Sequence, residues 1–145
     1  MDTVLFLCTG NYYRSRFAEL LFNALASLQH VPWQAFSRAV ALEAGVRNAG
    51  PMSPLVLQAL HTLGITEAGL MRYPMQVQED DLQAADRIIA LHEAEHRPYL
   101  RARYPAWVEQ VEYWHVRDGV PTPAYNPLQE IGHAVQQLLV RLSAP

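Results

Sequence analysis

Cys8 is the only cysteine among the 145 residues, and an arginine, Arg14, follows it six positions later. Between them runs Thr9-Gly10-Asn11-Tyr12-Tyr13, and Ser15 comes next. A thiol beside a guanidinium suits displacement at a tetrahedral oxyanion, because the guanidinium grips two oxygens at once while the sulfur attacks. A short loop entering a helix adds backbone N–H groups without intrahelical partners. These converge on one anion, with the positive end of the helix dipole behind them. The same field favours the thiolate at Cys8. Gly10 and Asn11 both tolerate a left-handed backbone, which a loop curled round an anion needs. Ser15 is placed to hydrogen-bond the sulfur.

The surrounding pattern supplies the elements that must hold this group. Val4-Leu5-Phe6-Leu7 is a continuous apolar run, as expected of a strand buried on both faces of a parallel sheet. Past the Gly-Asn turn, Phe17, Leu20, Leu21, Ala24 and Leu28 recur at helical spacing and predict one inward stripe. Trp33 to Val40 reads as a second strand. Ser53 caps a helix with Pro54 in its first turn, and Val56, Ala59, Leu60 and Leu63 face inward before Gly64 ends it. Arg87 to Leu91 is a further buried strand, followed by a helix over roughly Ala94 to Arg103. Val111 to Val116 is the last strand. The closing helix carries Ile131, Val135, Leu138, Leu139 and Leu142 on one face. Four strands interleaved with helices predict one domain over 1–145, a three-layer α/β/α sandwich with a mainly parallel sheet. In such sheets ligands bind beyond the carboxyl ends of the strands. Cys8 ends the first strand, and Asp118 follows the last one at the same edge.

Composition narrows the chemistry. Half of the chain is apolar and the net charge is −3, which gives no footprint for nucleic acid or an anionic membrane. All eleven Lys-plus-Arg positions are arginine, so lysine Schiff bases and a phosphate-loop lysine are excluded. A lone cysteine forms no intramolecular disulfide. No apolar run approaches a membrane span, and Met1-Asp2-Thr3 lacks the positive stretch of a secretory signal, so a cytoplasmic protein is expected. Glu79-Asp80-Asp81 reads as an exposed helix start. His92 and His96 lie four apart on what reads as a solvated helix face, without metal spacing. Trp33, Trp107 and Trp114 are expected to pack.

The run Val4-Leu5-Phe6-Leu7-Cys8-Thr9-Gly10-Asn11-x-x-Arg14-Ser15 resembles the signature of the low-molecular-weight protein tyrosine phosphatase family. That family includes bacterial tyrosine and arginine phosphatases and thiol-dependent arsenate reductases. The stretch near Ser37, Gly64-Ile65 and Ala85-Asp86-Arg87-Ile88-Ile89 extend the likeness along the chain. The resemblance implies that Cys8 attacks phosphorus, Arg14 binds the equatorial oxygens, and Thr9, Gly10, Asn11, Tyr12, Tyr13 and Ser15 form the substrate loop. Trp114-His115-Val116-Arg117-Asp118 falls where the family places its general acid, which assigns that role to Asp118. No metal or cofactor is implied. The implied partner is a phosphorylated protein or a small phosphomonoester, with inorganic phosphate or sulfate fitting the same loop.

The chain departs from the family at named positions. Gly119-Val120-Pro121 follows Asp118 where proline and aromatic residues are usual. Tyr13 stands where many relatives have a second cysteine, and Tyr12 where tyrosine-directed members often have a small aliphatic residue. His92 takes the place of a further aspartate found in some members, and no aromatic residue stands around Arg47. Two alternatives stay open: an arsenate reductase that borrows an external thiol, since one cysteine cannot run a three-cysteine relay, and a non-catalytic phosphate- or phosphoprotein-binding module.

Overall fold

The computed structural model describes residues 1–66 and 71–144. Its centre is β1 (Asp2–Cys8), whose apolar run forms the strand predicted from it. β1 pairs in parallel with β2 (Trp33–Ala39) on one side and β3 (Arg87–Ala90) on the other, and β3 pairs in parallel with β4 (Glu112–Tyr113). The order is β2-β1-β3-β4. The helices are α1 (Arg14–Leu28), α2 (Pro54–Thr62), α3 (Glu79–Ala84), α4 (Glu93–Arg103) and α5 (Pro127–Ser143).

Side chains alternate along β1, so Val4, Phe6 and Cys8 enter one core and Leu5 and Leu7 the other. The first core is closed by α1, α2 and α5 through Phe17, Leu21, Phe22, Leu60, Ile131 and Val135. The second is closed by α3 and α4 through Leu82 and Leu100. This is the expected three-layer sandwich. The tryptophans pack as expected: Trp114 lies 5.6 Å from Phe6, and Trp33 and Trp107 are partly buried against the two cores.

Four expectations are corrected. Leu28 is exposed, because the chain swings out of α1 there and Ala26 and Val31 close that end of the core instead. Leu63 is exposed as well. Gly64, at φ 76°, reverses the chain so that Ile65 N–H reaches Leu60 O and Ile65 takes the inward place. The last strand is two residues rather than six, since β3 ends at Ala90. Beyond that point Trp114 and Val116 still donate to Ala90 O and Leu91 O. Asp81 is not simply exposed: it accepts from Gln78 N–H at the start of α3 and pairs with Arg38 Nε at 3.3 Å.

Candidate active site

All four strands run the same way, so their carboxyl ends meet at one edge of the sheet. β1 delivers Cys8 there, and Val40 and Ala41, just past β2, donate to Cys8 O and Thr9 O and fix the start of the loop. β3 leads into α4, which brings Glu95 and His96. β4 leads to Val116 and Asp118. Together with α2 they enclose a cleft of about 350 Å³ lined by Cys8, Thr9, Gly10, Tyr12, Tyr13, Arg14, Leu55 and Asp118, among others.

The Cys8–Arg14 loop curls tightly over the start of α1. Ser15 N–H reaches Cys8 Sγ at 3.4 Å, and Ser15 Oγ lies 3.0 Å from the sulfur. Asn11 carries the left-handed turn, with φ 53°, while Gly10 has no positive φ. Asn11 is wholly buried. It donates to Ser15 Oγ at 2.8 Å and to Ser37 Oγ at 2.9 Å, and it accepts from Arg72 Nη1 and Met75 N–H. Ser37 in turn donates to Glu19, which pairs with Arg72 at 3.2 Å. Asn11 and Ser15 thus stand behind the loop and do not line the cleft. Arg16 is buried too, and its Nη1 donates to Pro51 O and Arg72 O. Burial, then the neighbouring Arg72, push its guanidinium down to about 10, still protonated near neutrality.

Arg14 is nearly inaccessible and held from three sides. Glu95 takes its outer edge, with Nη1–Oε1 at 3.1 Å and Nη2–Oε2 at 2.6 Å, and Val116 O accepts from Nη1 at 3.0 Å. Asp118 Oδ1 stands 3.7 Å from Nε, its side chain 69 % exposed. Thr9 Oγ1 also donates to Glu95. Burial works against a charge at Glu95, but hydrogen bonds from His96, Arg14 and Thr9 outweigh it and hold the carboxyl well below the usual carboxylate range.

His96 is corrected from a solvated position to a buried one. Its Nδ1 accepts from His92 N–H at 3.0 Å, which leaves Nε2 carrying the proton toward Thr9 Oγ1 at 3.1 Å and Glu95 Oε2 at 3.2 Å. Burial, with Arg14 nearby, outweighs Glu95 and pushes the ring below its ordinary value, so it is neutral at neutral pH. Glu95 and Arg72 are not singled out by the sequence; Ser37 enters there only as part of the family likeness, and His96 only as a solvated helix position. For Glu95 and His96 a signal existed: both follow the end of a buried strand, at the edge where ligands bind.

The side walls differ in character. Tyr12 donates to Ala49 O at 2.6 Å, pinning its ring across to the loop that contributes Ala44, Gly45 and Asn48. The cleft's aromatic surface therefore comes from Tyr12 and Tyr13, within the loop itself. Across from them Gly119, at φ 145°, follows Asp118. Tyr125 donates to Arg117 O at 2.9 Å, and the Arg117 guanidinium lies 4.1 Å from its ring centre. Among the described residues, no group of three or more His, Cys, Asp or Glu is arranged to hold a metal ion, and no helix is long and apolar enough to cross a membrane.

Solved structures share this architecture. A low molecular weight protein tyrosine phosphatase from T. tengcongensis is 26 % identical with TM-score 0.80, covering 97 % of this chain and 99 % of that one. YfkJ from Bacillus subtilis is 29 % identical with TM-score 0.77, covering 98 % and 94 %. A thioredoxin-dependent arsenate reductase from Corynebacterium glutamicum shares the fold at 22 % identity and TM-score 0.68, covering 98 % of this chain and 62 % of that one. No curated protein sequence matches. The family model for low molecular weight phosphotyrosine protein phosphatase matches residues 3–143. With nearly the whole chain inside that match, the protein belongs to the low molecular weight phosphotyrosine protein phosphatase family and is a phosphatase.

Proposed function

We propose that this phosphatase hydrolyses phosphotyrosine, or a similar phosphorylated residue, through a cysteinyl-phosphate. The observation that carries the reading is the convergence of Ser15 N–H and Oγ on Cys8 Sγ, with Arg14 and Asp118 over the same cleft. Because Asn11 already donates to Ser15 Oγ, the Ser15 proton is available to a thiolate. In the first step Cys8 Sγ forms a bond to phosphorus as the P–O bond to the leaving group breaks, and Asp118 hands its proton to the departing oxygen. Arg14 Nε, with loop N–H groups, takes the equatorial oxygens, while Glu95 fixes the opposite edge of the guanidinium. In the second step water attacks phosphorus, its proton passes to Asp118, the S–P bond breaks and inorganic phosphate leaves. Thr9, Gly10, Tyr12 and Tyr13 shape the mouth that receives the substrate. A catalytic thiol without a partner cysteine suits a reducing compartment, which supports a cytoplasmic location.

The test is hydrolysis of p-nitrophenyl phosphate with EDTA present. Wild type is expected to turn over, Cys8→Ser to be inactive, and Asp118→Asn to lose roughly 10²-fold or more in kcat. Turnover in Cys8→Ser at the wild-type rate overturns the covalent route. The fold shared with an arsenate reductase supports a second reading, in which arsenate enters the same cradle and an external thiol completes the reduction. Arsenate turnover that stops when glutathione or glutaredoxin is omitted would favour it. Phosphate binding through Arg14 with no single-turnover burst would instead favour a binding module.

A further inference from the structure

Tyr13 is the last loop residue before α1. Its ring packs against the first core, and its hydroxyl oxygen is buried without a hydrogen-bond partner among the described residues. A buried hydroxyl left in this state is destabilising, which makes its surroundings informative. The charged and titratable groups around it are Asp118, Arg14 and Tyr125. Arg14 has no acceptor atom. Tyr125 already spends its proton on Arg117 O, and that bond fixes where its oxygen points. Asp118 is the charged acceptor among them: it lines the cleft beside Tyr13 and forms an ion pair with Arg14 Nε at 3.7 Å. Burial, then the nearby charge of Asp118, push the phenol up to about 12, so it remains a protonated donor at any working pH.

The Arg14 Nε edge is also where an incoming phosphoryl group docks under the mechanism proposed above, on which this inference rests. Asp118 and the phosphoryl oxygens cannot both hold it. Gly119, with its positive φ, gives the backbone beside Asp118 a conformation that other residues rarely adopt.

We propose that Tyr13 is a positioning residue for Asp118: when a phosphoryl group takes the Arg14 Nε edge, the Tyr13 hydroxyl donates to one Asp118 carboxyl oxygen and leaves the other aimed at the departing oxygen. The proton delivered in the first step is that of Asp118, and Tyr13 keeps its own throughout. Where relatives with a cysteine at this place have a sulfur, this chain has a donor that reaches the acid.

The experiment compares wild type, Tyr13→Phe, Asp118→Asn and the double variant on phenyl phosphate and p-nitrophenyl phosphate. Phenylalanine removes only the unpartnered oxygen, so unfolding by urea should show unchanged or slightly raised stability. With phenyl phosphate, whose leaving group needs a proton, Tyr13→Phe should lower kcat about tenfold, and with p-nitrophenyl phosphate, a better leaving group, only about two- to threefold. Inhibition by inorganic phosphate should be unchanged, and Tyr13→Phe should cost nothing further in the Asp118→Asn background. Three results would overturn the proposal: equal losses on both substrates, a weakened phosphate inhibition that matches the fall in kcat, or full additivity in the double variant. If Asp118→Asn itself is as fast as wild type, the acid assignment fails and the proposal falls with it. If Asp118→Asn is slow while Tyr13→Phe matches wild type on phenyl phosphate, the inference alone fails.

Discussion

Glu95 meets Arg14 with both carboxylate oxygens while also accepting from Thr9 and His96, so one side chain orients the cation, the first loop residue and a neutral histidine. Replacing it by glutamine keeps the size but removes the charge opposite a guanidinium that is 3 % exposed. Breaking a fully buried pair costs about 3–5 kcal/mol. With Glu95 itself 30 % exposed, water screens part of that, and we expect Glu95→Gln to lose about 2 kcal/mol at neutral pH by urea denaturation. The sign with pH follows from the held-down carboxyl. Its stabilisation is complete above the unfolded value of about 4.3 and fades as pH falls below that, because the unfolded chain then takes up a proton the folded Glu95 refuses. The gap between wild type and Glu95→Gln should therefore close toward pH 3, and a gap that widens there would contradict the assignment. Cys8, Arg14, Ser15 and Asp118 could be picked out from residue type and strand ends. Glu95 and His96 could not be read as a pair with Arg14, because their partners lie more than eighty positions away in the chain.

At the scale of elements, the turn in the loop between β1 and α1 is set by one buried side chain. Asn11 supplies the left-handed turn and joins α1, β2 and the segment at Arg72–Met75 through its amide. Two variants separate these duties. Asn11→Gly keeps the turn and loses the amide, and should cost about 2 kcal/mol of stability. Asn11→Ala also forces a β-carbon into positive φ, and should cost about 1 kcal/mol more. Both should weaken phosphate inhibition at least tenfold, measured against p-nitrophenyl phosphate, if the loop is what cradles the anion. The elements themselves were legible wherever a local rule acts: the apolar run of β1, the Ser53-Pro54 start of α2, the stripe of α5. They were misread where a neighbour decides. Nothing within Val111–Val116 reveals that β3 stops at Ala90, and helical periodicity alone cannot say that Ile65 rather than Leu63 seals the end of α2.

The molecule as a whole places its one thiol under a single mouth, with Tyr13 where some relatives have a second cysteine. Oxidised Cys8 therefore has no sulfur within the chain with which to close a disulfide. Peroxide should inactivate the enzyme, and dithiothreitol should rescue it only when added early, before sulfinic acid forms; bound phosphate should slow the loss. Recovery after prolonged peroxide would argue against Cys8 as the oxidised group.

The common direction of the four strands has a practical side. β1 starts at Asp2, six residues and roughly 20 Å of strand away from Cys8. α5 runs beside α1, and Arg141 near its end pairs with Glu112 at the start of β4, so its last turn at Ser143 also lies at the far side. A surface tether or fused reporter attached at either end would hang from the base of the molecule and leave the opening unobstructed, so an immobilised form should display its working face outward.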